Sequence, residues 1–221
     1  MTLTLDELMI GIDELDDPFR LELEHYLAQD TLEAERLLAS ELGRKLAPAD
    51  WEQWLHLMFP GSFSSPFAQH HRAYWKWLFG IRPETPSFAR VEILARGGGK
   101  TTEAEGGAVA LGVRDRRKYV VYVKSVQERA DDAVSTIAGK LELPSIGEYY
   151  PQHAERKVGK FGSARAWRRN RVWTAGGFVV DALGLDSAVR GVKLEDQRPD
   201  LFIFDDIDDA LDGPHITAKK L

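Results

Sequence analysis

Over the first 58 residues the apolar positions recur at helical spacing. Leu21, Leu23, Tyr26 and Leu27 form one group and Leu37, Leu38 and Leu42 another. Trp51, Trp54, Leu55 and Met58 fall on one face of a short amphipathic helix, and Asp50 just before it is a suitable N-cap. Pro60-Gly61-Ser62-Phe63-Ser64-Ser65-Pro66 is a loop by composition. It sets the expected boundary between a small helical N-terminal region, residues 1–60, and a main domain, residues 61–221. Past this loop the pattern changes. Residues 70–79 read as an aromatic-rich helix stopped by Gly80 and Pro83. Residues 91–95, 119–123 and 201–204 are short apolar runs of the kind buried strands show. Between them lie a helix over 101–111, weakened by Gly106 and Gly107, and a second helix ending near Leu141. Ser125-x-x-Glu128 opens that second helix in capping-box form. Residues 171–174 and 178–182 flank Ala175-Gly176-Gly177 as the arms of a hairpin. Strands alternating with helices predict an α/β fold with a mainly parallel sheet sandwiched by helices.

Composition narrows the chemistry. With 43% apolar and 29% charged residues in a chain of 221, the balance is that of a globular protein rather than a disordered one. The absence of cysteine removes a disulfide framework, a thiolate metal site and a cysteine nucleophile together. No run approaches the roughly 18 apolar residues a membrane helix needs. Acids crowd the stretch before Arg20, the first basic residue, which argues against a secretory signal and for the cytoplasm. The net charge of -6 is unevenly spread. Residues 1–60 hold 14 acids and 4 bases, and the rest holds 21 acids and 25 bases, so a mildly basic body follows an acidic leader. Such a body can engage a polyanion through a local patch. Arg165, Arg168, Arg169 and Arg171, interleaved with Trp167, are the candidate patch for DNA. A solvated hairpin shoulder is the plainer alternative.

The segment Ala95-Arg96-Gly97-Gly98-Gly99-Lys100-Thr101-Thr102 carries the most chemistry. It is expected to follow a strand and open a helix, the setting in which glycines become a phosphate cradle. Three glycines let backbone N–H groups converge on an anion. Lys100 can reach the β- and γ-phosphates of ATP, and Thr101 can set its hydroxyl on Mg²⁺. The usual loop has another glycine where this chain has Leu94, so the match is to a deviant form; a flexible turn is the alternative. The apolar run 201–204 ends in Asp205 and Asp206. Ligands of parallel sheets bind beyond the carboxyl ends of the strands, which predicts that Lys100 and Asp205 project to one edge. Asp205 would hold Mg²⁺ and Asp206 would deprotonate the attacking water, with Asp208 as its rival.

Together with Ala188-Val189-Arg190-Gly191 shortly before the acidic strand, and with Arg96 three residues before the last loop glycine, this order of motifs resembles the large terminase subunit of tailed bacteriophages. The resemblance covers roughly residues 60–221. It implies a P-loop NTPase with an additional strand between its two nucleotide motifs. The implied activity is hydrolysis of ATP with Mg²⁺ to drive double-stranded DNA into a procapsid. It also implies a homo-oligomeric ring docked on a portal protein and served by a small terminase subunit, in the host bacterial cytoplasm. Arg190 then resembles the family's arginine finger, Arg96 a phosphate-sensing residue, and Gln69, near Phe67, the residue that contacts adenine. Family members continue past the acidic strand into a coupling motif and a nuclease domain. The sheet is therefore expected to be incomplete at its C-terminal end, and nuclease activity is not expected from this chain. Two alternatives remain at this point: an assembly or docking fragment with a vestigial nucleotide site, or another DNA-translocating P-loop ATPase.

Overall fold

The structure, a computed structural model, describes residues 47–158, 167–186, 193–194 and 196–207. The expected helices before residue 47 lie outside the described residues. Helix α1, Trp51–Met58, starts where Asp50 accepts hydrogen bonds from the amides of Glu52 and Gln53, and it buries Trp51, Trp54, Leu55 and Met58. Helix α2, Gln69–Phe79, ends at Gly80. The 60–66 loop expected to divide two regions joins helices that share one core, because Trp54, Phe59, Phe63 and Trp75 belong to a single buried cluster. Trp54 also donates through Nε1 to the Tyr150 hydroxyl at 2.9 Å, so this large ring is buried with its one polar atom satisfied.

Helix α3, Lys100–Val113, follows, then strand β1, Tyr119–Lys124, helix α4, Gln127–Leu141, and the short helices α5, Pro144–Tyr149, and α6, Pro151–Ala154. Strands β2, Trp167–Arg168, β3, Arg171–Trp173, β4, Val179–Gly184, and β5, Leu201–Phe204, complete the sheet in the order β2-β3-β4-β1-β5. The two glycines expected to weaken α3 serve close packing instead. A Cβ on Gly107 would lie 2.7 Å from both Leu78 Cδ1 and the Tyr74 hydroxyl, so only glycine lets α2 approach this closely. Helix α4 does not use its expected capping box. It starts at Gln127, whose amide donates to Asp186 Oδ1 at 3.0 Å, while the Ser125 side chain makes no cap. A carboxylate brought from 59 residues away has displaced the local hydroxyl.

Four expectations about the sheet are corrected. It is mixed, not mainly parallel: β4, β1 and β5 run parallel, while β3 pairs antiparallel with both β4 and β2. The cause is the expected hairpin itself, whose tight turn through Gly177 (φ +85°) must reverse the chain. The sheet is not sandwiched by helices among the described residues. Helices α1 to α5 share one buried cluster with Val120, Tyr122 and Val180 of one face, α4 lying against the strands. The opposite face, with Tyr119, Val121, Val123 and Val179, is met by Leu185 and Leu194 of the β4–β5 connection and by Ile207. Right-handed crossovers account for this: β1 to β4 and β4 to β5 step across the sheet in opposite directions, so their connections cover opposite faces. Residues 91–95 do not form a buried strand. They join no sheet, and Val91 and Ile93 are 78% and 90% exposed. Finally, among the described residues β5 is an edge strand with only β1 beside it, and Phe202 and Phe204 are exposed with their rings stacked. An apolar run reports a tendency to be covered, not the neighbour that covers it.

Among the described residues no helix is long and apolar enough to cross a membrane.

Candidate functional site

Two local structures carry the sequence-derived candidates. The first is the glycine loop. Gly97 and Gly99 adopt left-handed conformations, with φ of 79° and 81°. The Gly98 amide closes a turn on the Ala95 carbonyl at 3.0 Å, and a Cβ on Gly98 would sit only 3.0 Å from that same oxygen. Each glycine is thus required by a backbone angle or by a close approach. Gly99 is the N-cap of α3, and no side chain caps that helix. The first-turn amides of Lys100, Thr101 and Thr102 are left for solvent or an anion, at the positive end of the helix dipole. A Cβ at Gly97 would meet nothing within 4 Å, so the space beside that residue is open. Lys100 folds back across the loop and donates from Nζ to the Leu94 carbonyl at 3.0 Å.

The second structure is the acidic strand end. Asp205 is buried, with its amide bound to the Val123 carbonyl. Its Oδ2 accepts from Lys124 Nζ at 2.6 Å and from the Tyr122 hydroxyl at 3.0 Å. Lys124 and Asp205 sit one step beyond the paired Val123 and Phe204, so parallel register alone sets them side by side. The carboxylate and burial together push the Tyr122 phenol far above its ordinary value, burial being the larger cause.

Helix α3 ties the two together. Glu105, buried one turn past Lys100, has its carboxyl pushed up to about 7, chiefly by burial. Lys140 and Lys124 oppose that shift and Asp205 adds to it, so Glu105 shares the field of the acidic strand end. Two residues earlier, Glu103 faces another way. It too is raised to about 7, chiefly by burial, but the neighbours acting on it are His71, Glu92 and Arg90. Its Oε1 is buried without a hydrogen-bond partner. The two lysines, however, do different work: Lys100 bonds Leu94, and the ammonium beside Asp205 is that of Lys124.

The other sequence-derived candidates scatter. Gln69 is exposed at the first turn of α2, and Arg96 is exposed on the loop. Phe67 is a core residue, edge-on to Trp51 at 5.0 Å. Asp206 is exposed, with a left-handed φ of 47° that turns the chain immediately after Asp205. Arg190, Asp208 and Arg165 lie outside the described residues. Of the arginine patch, Arg169 bonds Asp132 at 2.7 Å and Arg171 is ion-paired with the buried Asp181, while Arg168 is exposed. Arg171 is therefore committed to the sheet.

Four residues had no part in the sequence-derived site: His71, Lys124, Tyr122 and Glu105. For Lys124 a signal existed, since one apolar strand ends in a cation and a second ends in an acid, and parallel pairing matches the ends. For His71, which bonds the Gly98 carbonyl at 3.1 Å across 27 residues, the sequence carries none. Among the described residues no group of three or more His, Cys, Asp or Glu is placed to hold a metal ion. Compared with protein-family models, curated proteins and solved structures, the chain matches none.

Proposed function

We propose that this chain is the ATP-hydrolysing part of a DNA-packaging motor, a P-loop NTPase of the terminase large-subunit kind. The observation that carries the reading is the glycine loop. It supports the reading with two left-handed glycines, a helix start that no side chain caps, Lys100 bonded back to the Leu94 carbonyl, and Asp205 among the charges acting on Glu105 of the same helix. A triphosphate fits such a loop because its charge meets backbone N–H groups and the positive end of a helix together.

Mg²⁺ fits the donor set as well. Among the described residues both side-chain hydrogen bonds of Asp205 fall on Oδ2, so Oδ1 would take a hydrated cation, and in this reading the Thr101 hydroxyl at the start of α3 would be a second oxygen ligand. Bound there, Mg²⁺ supplies positive charge at the β- and γ-phosphate oxygens. The chain's own residues do the rest. Lys100 exchanges the Leu94 carbonyl for phosphate oxygens, and the α3 amides hold the polyphosphate in line. Asp206, or Asp208, takes the proton of the attacking water, and Arg190 adds charge at the γ-phosphate. Gln69 would read the base from the start of α2. Double-stranded DNA, the portal protein and the small terminase subunit are the partners that go with this reading, in a ring of copies within the host cytoplasm.

Calorimetric titration with Mg-ATP tests it. The wild-type chain should bind and Lys100→Ala should not, with loss of about a hundredfold or more in affinity. Equal binding by the two proteins removes the reading. One observation favours a second reading, a docking fragment with a vestigial site. Lys124 already neutralises the carboxylate that a metal would use. Phosphate release that depends on Mg²⁺ sinks this second reading, and binding without release supports it.

A further inference from the structure

We infer that His71 is a positioning residue that sets the shape of the phosphate loop and links it to the start of helix α2. The inference rests on the nucleotide-binding reading above and names a residue which that reading does not use. The ring sits between two backbone groups. Nδ1 accepts from the Ala68 amide at 3.2 Å, so the ring proton of the neutral imidazole resides on Nε2. Nε2 therefore donates to the Gly98 carbonyl at 3.1 Å. Phe67 lies edge-on to the ring, and His70 packs against it with centroids 4.0 Å apart.

Gly98 is the point where such a bond has most effect. Its amide is already committed to Ala95, so the donor from His71 fixes the carbonyl side of the same residue. The other two ties, Gly98 to Ala95 and Lys100 to Leu94, are local to the loop. His71 supplies a tie from a separate element. A carbonyl held back by His71 cannot turn into the concave side, where it would repel phosphate oxygens, and the amides of the next residues stay turned toward that side. Gln69 stands two residues before His71 on the same helix, so one turn of α2 carries both the residue proposed to meet the base and the residue that holds the loop.

The two ring nitrogens can be imitated separately. Asparagine can replace Nδ1 and keep the Ala68 bond while losing Gly98; glutamine can replace Nε2 and keep Gly98 while losing Ala68. Mg-ATP affinity by calorimetry, thermal midpoint, and amide exchange of residues 97–101 without nucleotide are measured for wild type, His71→Asn and His71→Gln. The brace predicts about tenfold weaker binding and faster loop exchange in the Asn variant at a near-native midpoint, with the Gln variant close to wild type in both. A merely structural role at the helix start predicts the reverse order, and that result overturns the inference. Wild-type protein that binds no nucleotide removes the function proposed above. The exchange rates then decide the brace alone: faster in Asn than in Gln upholds it, and equal rates reject it.

Discussion

The glycine loop and the acidic strand end, the two halves of the proposed site, are built on opposite plans. The loop is exposed, nearly without side chains, and shaped by hydrogen bonds to backbone carbonyls. The strand end is buried and shaped by side-chain charge, with Lys124, Tyr122 and Asp205 in direct contact. Each plan has its own vulnerability. In the loop, geometry is easily lost while stability is hardly touched. At the strand end, removing one charge strands another in a poorly solvated place. The lysines of the two halves should therefore behave as opposites.

Lys124→Met should produce the largest effect on folding. It leaves the Asp205 carboxylate buried with only the Tyr122 hydroxyl for a partner, a loss of about 3 kcal/mol or more. Lys100→Met removes one hydrogen bond to a carbonyl and should cost about 1 kcal/mol. Urea denaturation of the two variants measures both. Equal losses would mean that the two halves are not built differently. Lys124→Met combined with Asp205→Leu should recover much of the stability, because neither charge is then left alone.

Gly98→Ala comes next. The added methyl carbon would meet the Ala95 carbonyl at 3.0 Å and Leu94 Cβ at 3.2 Å, so the turn must open. A folding cost of about 1–2 kcal/mol is expected, together with weakened Mg-ATP binding. The same measurements on Gly61→Ala provide the contrast, since a Cβ there meets nothing within 4 Å. If Gly98→Ala binds as wild type does, the loop is not shaped by the close approach described here.

The loop and its helix could be read from sequence because three glycines, a lysine and two threonines combine permissive angles with a helix start. The α1 cap, the hairpin and the buried strand β1 were legible for similar local reasons: Asp50, Gly177 and five consecutive apolar residues act within a few positions of themselves. What failed depended on distant partners. Val91 and Ile93 look like strand residues, but among the described residues no strand takes them up. Ser125 looks like a cap, but Asp186 reaches the Gln127 amide first. Asp205 can be read from sequence as an acid ending an apolar strand, but the cation that pairs with it cannot, because the sequence separates Lys124 from Asp205 by 81 positions. Local chemistry is written in neighbouring letters; the pairing of strand ends is written in topology.

The smallest effect concerns two glutamates that sit two residues apart on α3 and face the two halves separately. Both carboxyls are raised to about 7. A carboxyl raised in the folded state binds its proton more tightly there than in the unfolded chain. The stability it contributes is complete below the ordinary carboxylate range and is lost as pH rises through about 7. Stability should therefore fall between pH 5 and pH 8, by an amount on the order of 1 kcal/mol for each group, and the thermal midpoint should fall with it. Glu103→Gln and Glu105→Gln should each flatten the fall. The comparison sharpens when Lys124→Met is added. The lost ammonium had been lowering the Glu105 carboxyl and is not among the charges acting on Glu103. The mutation should push Glu105 higher still and leave Glu103 where it was. Carboxyl titration by carbon-13 NMR reads the two side chains separately. Equal shifts at both would mean that α3 does not divide the site, and that loop and strand end share one electrostatic environment after all.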